Sequence, residues 1–345
     1  MIATPNSLIE QLPLSEKNRT FLQNTKQTIR NILNGQDRRL LLIVGPCSIH
    51  DIKGALEYAE RLKRLQSSCH SLFLVMRTYF EKARTSLGWK GLLYDPFLNG
   101  THQIEEGLSI TRRFLIELAN QEIPAACEFL EPAFGRYISD LISWGCIGAR
   151  TVTSQIHRQL ASQLDMPVGF KNTPEGSMEA AINAIAAAQQ PHTFLGIDDE
   201  GKIAIQQSEG NPFSHLVLRG SQQGPNYSPA HVSLSFAHLK KMHLPQRVLI
   251  DCSHDNSAKK ADKQPQVFSS VIQQVKAGNA GIRGAMLESY LFSKNQPLQQ
   301  NLDYGISITD ECLSWEQTED LLLWANNILH TENQKISGSL KCVTV

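Results

Sequence analysis

Short apolar runs alternate with longer stretches of helical periodicity along most of the chain. Residues 40–44, an unbroken apolar run, are followed by an amphipathic stretch at 52–65 and a second apolar run at 72–76. Apolar runs of this length between helices predict buried parallel strands in βαβ units. Strand candidates judged by how they end are VGPCS, VMRTY, CEFL, IGART, GFKN, LRGS, DCSH and MLES, which is the number a (β/α)8 barrel needs. A doubly wound sheet is the alternative topology. Before the first strand, Phe21, Ile29, Ile32 and Leu33 form a helical stripe closed by Asn34-Gly35-Gln36-Asp37. Residues 1–38 therefore predict an N-terminal helical extension packed on the outside of the main domain. Residues 194–207 read as an added β-hairpin with Asp-Glu-Gly at its turn. The expected organisation is the extension 1–38, a TIM barrel over 39–330 and a loose tail over 331–345.

The chain's 345 residues suit one decorated barrel. Lys plus Arg and Asp plus Glu both number 33, so no global field draws nucleic acid or a membrane surface. No basic leader followed by an apolar run opens the chain, and no stretch approaches the roughly 18 apolar residues of a membrane span, so a cytoplasmic location is expected. Seven scattered cysteines read as free thiols rather than a disulfide framework.

Neutrality overall gives weight to what stands at the strand ends. A parallel barrel carries its chemistry there, and the ends hold Cys47, Arg77, Glu128, Arg150, Lys171, Arg219, His254 and Glu288. Any one arginine is better read as half of a surface ion pair. Arg77, Lys82, Arg84, Arg150, Lys171 and Arg219 around one mouth instead predict a substrate with more than one anionic group, because guanidinium forks match carboxylate and phosphate oxygens. Cys47, His254, Glu288 and Asp310 offer a thiolate, an imidazole and two carboxylates, a set suited to one divalent Mn, Fe, Co or Zn ion rather than Ca or Mg. Two shorter spacings, Cys47 with His50 and Cys252 with His254, are weaker: Cys252 belongs to the apolar run VLIDC, and His50 suits orienting the first loop or touching substrate. Lys171 has a second reading as a Schiff-base lysine, which crowding by cations would favour by lowering its pKa.

GPCSIHD, MRTYFEKARTSLGWKGLLYDP, WGCIGART, GFKN, LRG with PNYS, IDCSH, and MLESYL with YGISITDEC together resemble the class I 3-deoxy-D-arabino-heptulosonate 7-phosphate (DAHP) synthases, in order from about residue 15 to 328. The resemblance implies condensation of phosphoenolpyruvate with D-erythrose 4-phosphate and water to give DAHP and phosphate, the first step of the shikimate pathway. It implies Cys47, His254, Glu288 and Asp310 as metal ligands. Arg77, Ala149, Arg150, Lys171 and Arg219 fall on the family's phosphoenolpyruvate site, and Lys82, Arg84, Thr85 and Asp310 on its erythrose 4-phosphate site. Lys82, Lys171, Glu128 and His254 take the catalytic roles, with Glu128 and Lys171 handling protons of the attacking water. A homodimer or homotetramer is implied as well.

The chain departs from the family's pattern in three places. Ala83 stands where the family usually has Pro, which frees the loop's φ. Asp255 stands where a small residue is usual, and adds a carboxylate expected near the metal. The lead-in is shorter than in feedback-inhibited bacterial members, so weak or absent inhibition by Phe or Tyr is expected. The rival readings are a related condensation with a longer aldose, as in the octulosonate phosphate and sialic acid synthases, and a catalytically silent barrel acting as a regulatory partner.

Overall fold

The computed structural model describes residues 2–84 and 86–341, with side chains as far as His330. Eight parallel strands close into a barrel: β1 (Leu40–Gly45), β2 (Leu72–Arg77), β3 (Ala125–Glu128), β4 (Trp144–Ile147), β5 (Val168–Lys171), β8 (His215–Leu218), β9 (Val248–Asp251) and β10 (Ile282–Glu288). These are the strands expected from the sequence, and the doubly wound alternative falls away because β1 pairs with β10. Most are buried along their whole length, as expected of strands with helices outside and packed side chains inside. The antiparallel pair β6 (His192–Ile197) and β7 (Ile203–Ser208) stands apart from the barrel as the predicted hairpin, with Gly201 at φ 74° in its turn.

The helices are α1 (Pro5–Gln11), α2 (Glu16–Asn34), α3 (Ile52–Gln66), α4 (Ile104–Asn120), α5 (Gly135–Ile138), α6 (Gln155–Gln163), α7 (Met178–Ala188), α8 (Pro229–Lys241), α9 (Gln264–Lys276) and α10 (Trp315–Lys341). Local chemistry sets several boundaries. Ser15, Ser177 and Ser228 accept N-terminal backbone N–H groups of α2, α7 and α8, and Pro229 occupies the first position of α8. Gly35 ends α2 at φ 75°, where its missing Cβ also leaves room for the Arg283 guanidinium. The last helix runs unbroken to Lys341, so residue 330 marks no boundary in the backbone; residues 342–345 lie outside the described residues.

The extension corrects the expectation that it packs on the outside. Ile29, Ile32 and Leu33 are fully buried against barrel-interior side chains such as Leu41, Ile43, Val75, Trp144 and Leu249. Thr25 meets Ser143 just before β4, and Lys26 pairs with Asp165 just before β5. Thus α2 plugs the N-terminal mouth of the barrel, whose apolar contents would otherwise face water. Arg112 on α4 anchors the chain ahead of this plug, donating to Leu12 O and making a bidentate pair with Asp140. With that end sealed, the open mouth is the C-terminal one. Replacing Ile32 by Ala should lower stability by about 2–5 kcal/mol in urea denaturation, the cost of a cavity in a rigid core; a helix merely resting on the surface would lose far less.

Candidate functional site

Register brings the first and last strands' ends together. Gly45 pairs with Glu288, so the loop carrying Cys47 emerges beside the Glu288 carboxylate. Donor atoms of Cys47, Glu288 and Asp310 all lie within 4.8 Å of one another, a group that could hold a metal ion. His254 adjoins this trio rather than belonging to it, its Nε2 3.9 Å from Glu288 Oε1. Cys47 Sγ is 3.6 Å from Asp310 Oδ2, and Lys82 Nζ approaches the same sulfur at 3.0 Å. Burial and Glu288 push the Cys47 thiol up, while Lys82 and Arg77 oppose them. Burial would also raise Asp310, but Lys82 and His254 outweigh it and hold its carboxyl below the usual range.

Arg77 is the brace of this corner. Its guanidinium is buried over the Tyr79 ring at 3.7 Å, donates to Pro46 O and Cys47 O at 2.6 and 2.5 Å, and lies 2.9 Å from Glu288 Oε1. A buried carboxylate is tolerable only with such compensation.

A cavity of about 260 Å³ opens beside the trio. Arg77, Lys82, Arg84, Arg150, Lys171 and Arg219 all line it, together with Glu128, Ala149, His254 and Asp310. Cys47 and Glu288 are buried behind this lining. Thr85 lies outside the described residues. His50 packs edge-on against Tyr290 and is not part of the cavity's lining, which favours its role in orienting the first loop. Cys252 is fully buried, with its Sγ near Ile250 O. Among the described residues the cysteines are free, and no helix is long and apolar enough to cross a membrane.

Two expectations are corrected at the cations. At Lys171 carboxylates outweigh the neighbouring charge of Arg77: its Nζ lies 3.2 Å from Asp251 Oδ2 and 3.7 Å from Glu128 Oε2. Burial alone would depress it, but Asp251, Cys146 and Glu128 prevail and hold the ammonium above its ordinary pKa, which works against a Schiff-base role. Asp255 does not extend toward the trio either. It forms a short ion pair with Arg219 Nη1.

Asp251 was missed by sequence reasoning, although a carboxylate in the otherwise apolar VLID strand was a usable signal. Its Oδ2 also meets His254 Nδ1 at 2.9 Å, while Ser253 donates to Oδ1. Burial would raise Asp251; His254 and Lys171 overcome that and keep it ionised. Glu128 is likewise held below its ordinary pKa, with Lys171, Lys82 and Arg77 outweighing burial. Gly148 permits its position, since a Cβ there would stand 2.7 Å from Glu128 Oε1. Glu81, Tyr79, Lys259 and Thr309 also line the cavity unpredicted.

The profile of the DAHP synthetase I family matches residues 12–323. The chain belongs to the DAHP synthetase I family. This membership agrees with two relatives from Escherichia coli (strain K12). The chain is 47% identical over 326 residues to the Tyr-sensitive phospho-2-dehydro-3-deoxyheptonate aldolase, covering 93% of this chain and 91% of that one. It is 44% identical over 324 residues to the Trp-sensitive one, covering 93% of each. In three dimensions it superposes on the solved structure of the phospho-2-dehydro-3-deoxyheptonate aldolase from Francisella tularensis SCHU S4, with TM-score 0.94, 40% identity and coverage of 96% of this chain and 98% of that one.

Glu81 generates a pH prediction. Its buried carboxyl accepts backbone N–H groups of Leu130 and Glu131, yet burial pushes its pKa up from 4.5 to about 8. A raised folded-state value favours the protonated form, so this group's contribution is fully present below pH 4.5 and is lost as pH rises toward 8. Glu81→Gln should therefore gain stability relative to the wild type between pH 5 and 8 in urea titrations; parallel profiles would contradict the assignment.

Proposed function

We infer that this chain condenses phosphoenolpyruvate with D-erythrose 4-phosphate and water to give DAHP and phosphate, the first step toward the aromatic amino acids. One observation carries the reading. At the open mouth of a DAHP synthetase I barrel, a thiol–carboxylate trio borders a cavity lined by Arg77, Lys82, Arg84, Arg150, Lys171 and Arg219. A neutral protein that concentrates so much positive charge in one cleft is built for substrates with several anionic groups. Retention of all these groups also weighs against a silent regulatory barrel.

In this reading Arg77, Ala149, Arg150, Lys171 and Arg219 receive phosphoenolpyruvate. Guanidinium forks orient its carboxylate and phosphate and neutralise charge as phosphate leaves. Lys82, Arg84, Thr85 and Asp310 receive erythrose 4-phosphate, with the aldehyde toward the trio. Cys47, Glu288 and Asp310, joined by His254, suit one borderline divalent ion, Mn, Fe, Co or Zn, by the chemistry of the donors. When bound, that ion supplies Lewis acidity to the aldehyde carbonyl.

Carbon three of phosphoenolpyruvate forms the new bond to the aldehyde carbon with the electrons of its own double bond, the aldehyde oxygen is left as an alkoxide that takes up a proton, and water adds at the electron-poor carbon two and gives one up. The resulting phosphorylated hemiketal loses phosphate to leave the ketone. In this reading Glu128, ionised beside Lys171, takes a proton from the attacking water, matching the one the alkoxide gains, and the Lys171 ammonium donates one to the departing phosphate and recovers it from the hemiketal hydroxyl. Asp251 positions Lys171 and His254 together. Self-association as a dimer or tetramer completes the reading, supported by the exposed apolar side chains Leu195, Ile197, Ile203 and Ile205 of the hairpin.

A phosphate-release assay tests the reaction. Phosphate should appear only with both substrates, stop with chelator and return with a divalent ion, and erythrose 4-phosphate should outpace arabinose 5-phosphate. Cys47→Ala should lose at least about 100-fold in turnover, the range typical of losing one electrostatic partner of the transition state. Release without the aldose, or full activity in Cys47→Ala, would contradict the reading.

A further inference from the structure

At the N-terminal face of the barrel, opposite the strand ends just described, lies a second cavity of about 320 Å³. Among the described residues its charged lining is Arg38, Arg39, Lys276 and Arg283, with neither Asp nor Glu. Arg39 has a partner in Asp37, 2.6 Å away. Arg38 and Lys276 are exposed and form no ion pair among the described residues.

Arg283, near the start of β10, is the telling member. It is half-buried, its Nε is shielded from solvent without an acceptor, and it makes no hydrogen bond or ion pair among the described residues. Burial depresses its pKa, as expected of a desolvated cation lacking an anion. Arg247 lies deeper, only 4% exposed, and is pushed down to about 10 by burial and by the charge of Arg283. Its donors reach only neutral acceptors, Asn34 Oδ1, Pro212 O and Ser214 O.

The C-terminus of α2 beside Arg283 offers some negative potential. Its carbonyls at Asn31 and Ile32, however, already accept backbone N–H groups from Gly35, Gln36 and Asp37. The guanidinium donors of Arg283 thus point into space that no acceptor among the described residues fills. Uncompensated buried charge is costly, and an anion in the cavity would offset that cost. The volume falls at the lower end of small-molecule pockets, roughly 300–1,000 Å³, and Val275 and Ile282 give it an apolar wall.

We propose that this cavity is a second anion site, taking a small organic molecule with phosphoryl or carboxylate oxygens held by Arg283 and Arg38. It is separate from the catalytic cavity and uses none of its residues.

Calorimetric titration of the full chain tests this, with inorganic pyrophosphate and citrate as the phosphoryl and carboxylate probes. Arg219→Gln weakens anion binding in the catalytic cavity, and binding that persists in this variant is assigned to the second site by its loss when Arg283→Gln is added. One equivalent of either probe should still bind Arg219→Gln, and the probe that binds identifies the preferred chemistry. Adding Arg283→Gln should weaken that binding at least tenfold, while Arg283→Gln alone leaves the KM for phosphoenolpyruvate unchanged. Arg283 has no partner to orphan among the described residues, and exposed Arg38→Gln provides an independent variant expected to weaken binding in the same direction. The proposal is overturned if neither probe binds Arg219→Gln, or if Arg283→Gln and Arg38→Gln both leave the binding unaltered.

Discussion

The pairing of β1 with β10 is the contact on which the rest of the molecule depends. It closes the sheet, and its register sets Gly45 opposite Glu288. Residues far apart in sequence then share one corner, where Arg77 bonds to the Cys47 loop and to Glu288 at once. Neither the carboxylate nor the guanidinium could be buried there alone. Closure and charge compensation are therefore linked: closure in this register brings the pair together, and each partner offsets the cost of burying the other.

The same logic orders the cavity. Asp251 compensates Lys171 and His254, Glu128 shares Lys171, and Asp255 engages Arg219. Each cation at the mouth that is buried deeply has a carboxylate partner, whereas Arg150 and Arg84, nearer solvent, do not need one. The mouth is thus graded, with compensated charge in its depth and free charge at its rim, where an anionic substrate first arrives. Plugging of the opposite end by α2 makes this the accessible end of the barrel.

The eight strands were legible because buried parallel strands leave near-continuous apolar runs that end in polar residues. The convergent cations were legible for a related reason: a parallel barrel gathers its strand ends, so their chemistry can be read before the fold is known. What escaped was pairing. Nothing in a linear pattern says that Asp255 turns to Arg219 or that Lys171 is neutralised by Asp251, because both depend on which strands become neighbours. The destination of Ile29, Ile32 and Leu33 escaped likewise, since an apolar helical stripe looks the same against a barrel's flank as across its mouth. The continuation of α10 past residue 330 was not legible because polar, Gly- and Ser-containing sequence at 331–341 weakens helical periodicity without breaking the helix.

The central claim, that closure assembles one thiolate-containing metal site, is tested most directly by optical titration of the metal-free protein with Co(II). The account predicts a single equivalent bound with a sulfur-to-cobalt charge-transfer band, absent in Cys47→Ser and weakened in Glu288→Gln. An undiminished band in Cys47→Ser, or no thiolate band in the wild type, would contradict it.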